Sequence, residues 1–316
     1  MAVLVVDETD EGGLRSSPPL EHFLPCPPSV SSFREAVGDL VAEVGEAAPV
    51  DARAAERILA SRLGEEEFVT LLEETPDGWD ATVAKLLFEV RNYEPSPRNS
   101  TGTLSALVRI SLLAQIDAVW WGRVPSFQTD SDLSAATDLV DLDELDADGQ
   151  LAFRYRHQAV TLAGRAARSA QRRALPGHAP KTAGILLPRA RAQTVAWLND
   201  LAEEFAEVAP PKTPPLWVTS VARSVDHQRH LKSLGYIALL PSAHCVGYAA
   251  DIEMQWYRRF RAHRLLRGML LDRQRAHEIN VIDEGQAWHV CLRPDLVYGP
   301  RATTTNVKVP SARAGS

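Results

Sequence analysis

The sequence predicts an α+β protein in two parts, an all-α helical region over residues 32–208 and a smaller α+β domain over residues 214–298. Three observations carry this reading. Apolar residues recur at three- and four-residue spacing from Phe33 to Phe205. Pro210, Pro211, Pro214 and Pro215 then form a proline-rich joint, which makes it the expected domain boundary. Beyond it, short apolar runs of strand length alternate with short helical patterns.

Taken in order, residues 1–31 read as a disordered leader, because acids, Gly12-Gly13 and prolines 18, 19, 25, 27 and 28 oppose regular structure. Residues 32–46 place Phe33, Val37, Leu40 and Val41 on one helical face. Residues 51–63 repeat this with Ala55, Ile58, Leu59 and Leu63, and Asp51 can cap the start. Further helices are expected over 65–74 and 80–92, the second carrying Val83, Leu86, Leu87 and Val90, before Pro95 and Pro97 interrupt. The most apolar helix of this half spans 103–121, with Leu104, Leu107, Val108, Leu112, Ile116 and Trp120. The acidic stretch 130–148 reads as a loop with at most one helical turn.

A long helix is expected over 150–175, exposing Arg154, Arg156, Arg165, Arg168, Arg172 and Arg173. A solvated face paired with the preceding acids outweighs a phosphate-binding one. Residues 176–188 break the pattern, and 189–208 form another helix on Val195, Leu198, Leu201 and Phe205. In the second part, strands are expected at 216–219, 249–254, 281–282 and 287–292, with helices over 226–234 and 258–276. Residues 299–316 read as a disordered tail. There is no internal repeat.

The chain has 316 residues, 34 Lys and Arg against 41 Asp and Glu, and a net charge of −7, which argues against a dedicated nucleic-acid binder. Cys26, Cys245 and Cys291 are too few and too far apart for a disulfide framework or a Cys-x-x-Cys zinc site. Residues 1–10 lack the basic start and long apolar core of a signal peptide, and no uninterrupted apolar run reaches membrane-spanning length. The expectation is a cytoplasmic protein with no membrane and no nucleic-acid partner.

The chemistry concentrates in residues 240–252, where His244 and Asp251 flank Gly247, and in Trp288-His289 downstream. Two imidazoles and one carboxylate make a three-ligand zinc set with an open fourth position. The ordinary alternatives are buried histidines, a turn cap at Asp251 and a surface ion pair for Arg223. Taken singly these prevail, and a His/Asp/His trio by itself arises easily by chance. Cys245 and Cys291 lie beside the ligands in sequence and read as packing residues, although thiolate also binds zinc.

Three blocks resemble the zinc D-Ala-D-Ala carboxypeptidases and dipeptidases and their hedgehog-fold relatives. The first is Ser220-Val-Ala-Arg223 with Gln228 five residues on. The second, Ser242-Ala-His244-Cys-Val-Gly247-Tyr-Ala249-Ala-Asp251-Ile252, is similar to the family's Ser-x-His-x-x-Gly-x-Ala-x-Asp-Ile throughout. The third is Trp288-His289. The resemblance covers residues 214–296, and it implies a hedgehog/DD-peptidase-like fold for that part. It also implies zinc on His244, Asp251 and His289, with Arg223 supporting the developing oxyanion and Ser242, Gln228 and Gln286 at the substrate.

One position departs from the family. Three residues before the last zinc histidine the family places a carboxylate as general base; here Gln286 stands there, and an amide has no useful basicity near neutral pH. Hedgehog-like members carry their glutamate further ahead, so Glu284 becomes the candidate base if Gly285 bends the chain. The leading expectation is therefore a zinc metallopeptidase hydrolysing a short peptide or a peptidoglycan-type D-amino-acid stem. The alternatives are a zinc-binding homologue that has lost hydrolysis, and an interaction module that meets a protein partner through the N-terminal helices.

Overall fold

The computed structural model describes residues 27–47, 52–94, 103–174, 177 and 179–298. Most of the expected leader, residues 1–26, and the expected tail, 299–316, lie outside the described residues.

Five helices open the chain: α1 (Pro27–Ala47), α2 (Ala52–Arg62), α3 (Glu66–Leu72), α4 (Gly78–Arg91) and α5 (Leu104–Trp121). In α1, Val30, Phe33, Val37, Leu40 and Val44 are buried at alternating three- and four-residue steps, so one stripe faces inward. The helix begins five residues before the sequence pattern places it, because a first turn tolerates proline: its N–H groups have no intrahelical partner to lose. Helices α1, α3 and α4 pack on α5, with Phe33 edge-on to Phe68 at 5.7 Å between ring centroids. Thr103 caps α5 by accepting from the Ala106 N–H. Among the described helices α5 is long and apolar enough to cross a membrane by length and composition, but most of it is buried inside the protein.

The acidic stretch is more ordered than expected. It holds α6 (Asp130–Ala135), β1 (Val140–Asp141) and α7 (Leu142–Ala147). Thr129 and Asp132 form a reciprocal capping box on α6, and Asp141 caps α7. Leu133, Leu142 and Leu145 supply the buried anchors that a count of acids conceals. The helix expected over 150–175 is also corrected, to α8 (Leu162–Ala174). Residues before it are extended, because the Arg154 N–H and C=O pair with Leu216 and Val218, and Gln158 pairs with Ile185. These tertiary hydrogen bonds override local helix propensity. Arg154 meets Asp146 at 3.5 Å, in line with a solvated basic face. β2 (Arg189–Ala190) pairs antiparallel with β1, and α9 (Ala192–Val208) buries Val195, Leu198, Leu201 and Phe205.

The rest is an antiparallel sheet with its attached helices: β3 (Val218–Ser220), α10 (Val225–Ser233), β4 (Ala249–Glu253), α11 (His263–Arg275), β5 (Ile279–Asp283), β6 (Ala287–Leu292) and α12 (Pro294–Tyr298). The strand order is β3-β4-β6-β5. The basic helix expected over 258–276 begins later, at His263, after a 3-10 turn over Gln255–Phe260. The mixed α+β class stands.

The proline-rich joint does not separate two cores. One hydrophobic cluster runs from Val30 to Val297. Helix α5 lies against β5, Arg109 on it donates to the Asp283 carbonyl at 2.6 Å, and Trp121 donates to the Leu292 carbonyl at 2.8 Å while stacking on Tyr248. The helical region thus forms one wall of the sheet.

Candidate metal centre

Strands β4 and β6 run antiparallel with Asp251 directly opposite His289. Opposed residues of an antiparallel pair project to one face, so the sheet brings these two side chains together. His244 joins them from a 3-10 turn, Ala243–Val246, that ends at Gly247 with φ +85°. That backbone is left-handed, and a Cβ there would stand 3.0 Å from Arg191 Cγ, so the position calls for glycine. The turn reverses the chain between His244 and β4 in two residues.

The three side chains are buried. His244 Nε2 lies 3.1 Å from Asp251 Oδ1 and 3.1 Å from His289 Nδ1, and His289 Nδ1 lies 3.2 Å from Asp251 Oδ1. A tetrahedral ion with bonds of about 2.0 Å holds its ligand atoms about 3.3 Å apart, so this triangle has the size of one tetrahedral face. The outer nitrogens settle the tautomers. His244 Nδ1 sits 2.8 Å from the Val221 carbonyl, and His289 Nε2 sits 2.8 Å from Asp117 Oδ2. Both partners only accept, so each outer nitrogen carries a hydrogen, and in the neutral ring the inner nitrogen is then the one left with a lone pair. Two imidazole nitrogens and a carboxylate oxygen therefore converge on one point. The group can hold a metal ion.

The electrostatics agree. Burial lowers the His244 pKa, with Asp251 opposing. Burial would raise Asp251, but His244 and Arg223 hold it well below the usual carboxylate range. Burial would likewise lower His289, yet Asp117 and Asp251, one on each side of its ring, push it up to about 10. The surroundings favour positive charge at this point.

Arg223 binds the other oxygen of Asp251, Nη2 to Oδ2 at 2.5 Å, and its Nη1 donates to Gln228 Oε1 at 3.3 Å. Gln228 in turn donates to the Leu239 carbonyl at 3.2 Å, which fixes the arginine. A cavity of about 50 Å³ lies over the group, lined by Arg223, Gln228, Ser242, His244, Glu284 and His289 among others. A larger one of about 230 Å³ shares Arg223 and Glu284 with it and continues along residues 182–187 and 219–224.

Glu284 belongs to this site and Gln286 does not. Ile282 pairs with His289 across β5 and β6, and Glu284 is two residues beyond Ile282, on the same face. Gly285, at φ +88°, closes the hairpin without moving Glu284 off that face. Burial and then the charge of Asp251 push the Glu284 carboxyl up to about 7. Gln286 stands in the turn just before β6, where its amide donates to the Lys181 carbonyl, and it lines neither cavity. The substrate contact expected of Gln286 is therefore not brought to the cavity. Cys245 and Cys291 are buried outside the ligand group, and burial pushes Cys245 up to about 12, which keeps it a packing thiol.

Asp117 escaped the sequence reading. It is 4% exposed in the most apolar helix of the chain, and a carboxylate inside such a run is the signal that a buried partner exists.

No family model, curated protein or solved structure matches this chain.

Proposed function

We propose that the protein is a zinc metallopeptidase with a hedgehog/DD-peptidase-like C-terminal part, hydrolysing short peptides or a peptidoglycan-type D-amino-acid stem. The observation that carries this is the convergence of three donor atoms, His244 Nε2, Asp251 Oδ1 and His289 Nδ1, on one buried point beneath a cavity that Glu284 also lines. The three motif blocks quoted above point the same way. Neutral imidazoles and a single carboxylate in near-tetrahedral spacing suit zinc better than calcium or magnesium, which take oxygen ligands in larger number.

When bound, zinc would polarise the scissile carbonyl and acidify water. Glu284 lines the cavity over the three ligand candidates, from where it would take a proton from the attacking water and return it to the leaving amine. Arg223 donates to the oxygen on which charge develops, and its bonds to Asp251 and Gln228 hold it ready. Ser242 and Gln228 line the small cavity and offer polar contacts to the peptide. The larger cavity has room for a few residues beyond the scissile bond.

The reading of a silent zinc binder rests on Gln286, and the presence of Glu284 on the correct face weighs against it. The test is elemental analysis of the purified chain, followed by turnover of D- and L-amino-acid peptides. Absence of stoichiometric zinc would sink the metallopeptidase; zinc without turnover of any peptide would favour the silent binder.

A further inference from the structure

His289 presents Nδ1 to the ligand group, and something must hold the ring that way round. The Nε2 side of the ring meets Asp117 Oδ2 at 2.8 Å. The second oxygen of Asp117 accepts from Asn280 Nδ2 at 2.9 Å, so both carboxylate oxygens are engaged. Asn280, fully buried in the middle of β5, has its orientation fixed in turn. Its amide nitrogen also reaches the Leu113 carbonyl at 2.9 Å, and its oxygen accepts from Arg34 Nη2 at 3.1 Å. The amide cannot be reversed without setting donor against donor and acceptor against acceptor. A chain of hydrogen bonds thus links Arg34 on α1, Asn280 on β5, Asp117 on α5 and His289 on β6, with Asp117 accepting from both of its neighbours.

We infer that Asp117 is a positioning residue for the metal centre: it locks His289 in the tautomer and ring orientation that offer Nδ1 to the ion, and Asn280 and Arg34 hold Asp117 in place. This rests on the metallopeptidase reading above. Carboxylates behind ligating imidazoles fix the ring and raise its basicity, and losing them weakens metal binding about 10- to 100-fold. In this chain the carboxylate comes from the helical region, so the site draws on residues on both sides of the proline-rich joint.

The test is zinc affinity by competition with a chromogenic chelator for the full chain and for Asp117→Asn and Asp117→Ala, with proton–nitrogen correlation spectra of zinc-loaded, 15N-histidine-labelled protein. In Asp117→Asn one carboxylate oxygen becomes an NH₂ group facing either the His289 or the Asn280 donor. Its zinc affinity should fall about 10- to 100-fold. The wild-type spectrum should show two ligating histidines, one bound through Nε2 and the other through Nδ1 with its Nε2–H retained. If wild type binds zinc and both variants bind it within twofold, Asp117 does not position the site although the metal reading survives. If both wild-type histidines bind through Nε2, the inference fails even should the variants not fold. A wild type without zinc overturns the metal reading and this inference together.

Discussion

Glu284 and His289 share one face of the β5–β6 hairpin, five residues apart in sequence. Gln286, in the turn between them, is tied to the Lys181 carbonyl instead. A base at Glu284 is thus compatible with an amide at the family's usual position.

Replacing Glu284 by Gln should lower turnover about 10²- to 10⁴-fold, the range for loss of a positioned general base. Zinc content should not change. Gln286→Glu in that background should restore nothing, because position 286 lines neither cavity. Peptide turnover with parallel metal analysis checks both statements, and full activity in Glu284→Gln would clear the residue.

In metal-free protein Glu284 gives a pH signature in stability. Burial and Asp251 raise its folded pKa to about 7, whereas an unfolded glutamate titrates near about 4.3. Between those values the folded state binds more protons than the unfolded one, so this group's stabilising contribution is complete below about 4.3 and is lost as pH rises through about 7. The Tm of Glu284→Gln minus that of wild type, both stripped of metal, should therefore climb between pH 4.5 and 7.5. A flat difference in thermal melts would contradict the assignment.

Arg223→Met should reduce kcat/KM about 10²- to 10³-fold, as expected for a lost oxyanion donor. Zinc should remain bound, since Arg223 touches Asp251 Oδ2 and the ligand oxygen is Oδ1. Steady-state kinetics on the zinc-loaded variant is the measurement; an unchanged kcat/KM would leave Arg223 with a packing role.

Gly247→Ala tests the turn between the first two ligands. A left-handed alanine costs about 1–2 kcal/mol, and its Cβ would also press on Arg191 and Leu139. Chemical denaturation should show at least that loss, with zinc affinity reduced because His244 shifts relative to Asp251.

The candidate ligand triad was legible in the sequence because its members lie in motif blocks, and sheet register then made Asp251 and His289 neighbours. The four strands of the larger sheet and most helices followed from periodicity, whereas the short pair β1 and β2 did not. The choice between Glu284 and Gln286 was not legible, since it depends on where β5 ends and how Gly285 turns. Asp117 lay hidden for a different reason: its partner is 172 residues away, and no local pattern joins a helix of the first half to the last strand. The extended path around Arg154 was misread as helix because its hydrogen bonds go to Leu216 and Val218, which local propensity does not see.

The continuous core has a practical consequence for anyone trimming the chain. A fragment beginning at residue 209 keeps all three ligands, Glu284 and Arg223, yet it strips α5 from β5 and leaves the Asn280 amide and the His289 Nε2–H facing water or each other's gap. Such a piece would show bare apolar sheet and tend to clump. The N-terminal helices are therefore part of the same core as the sheet.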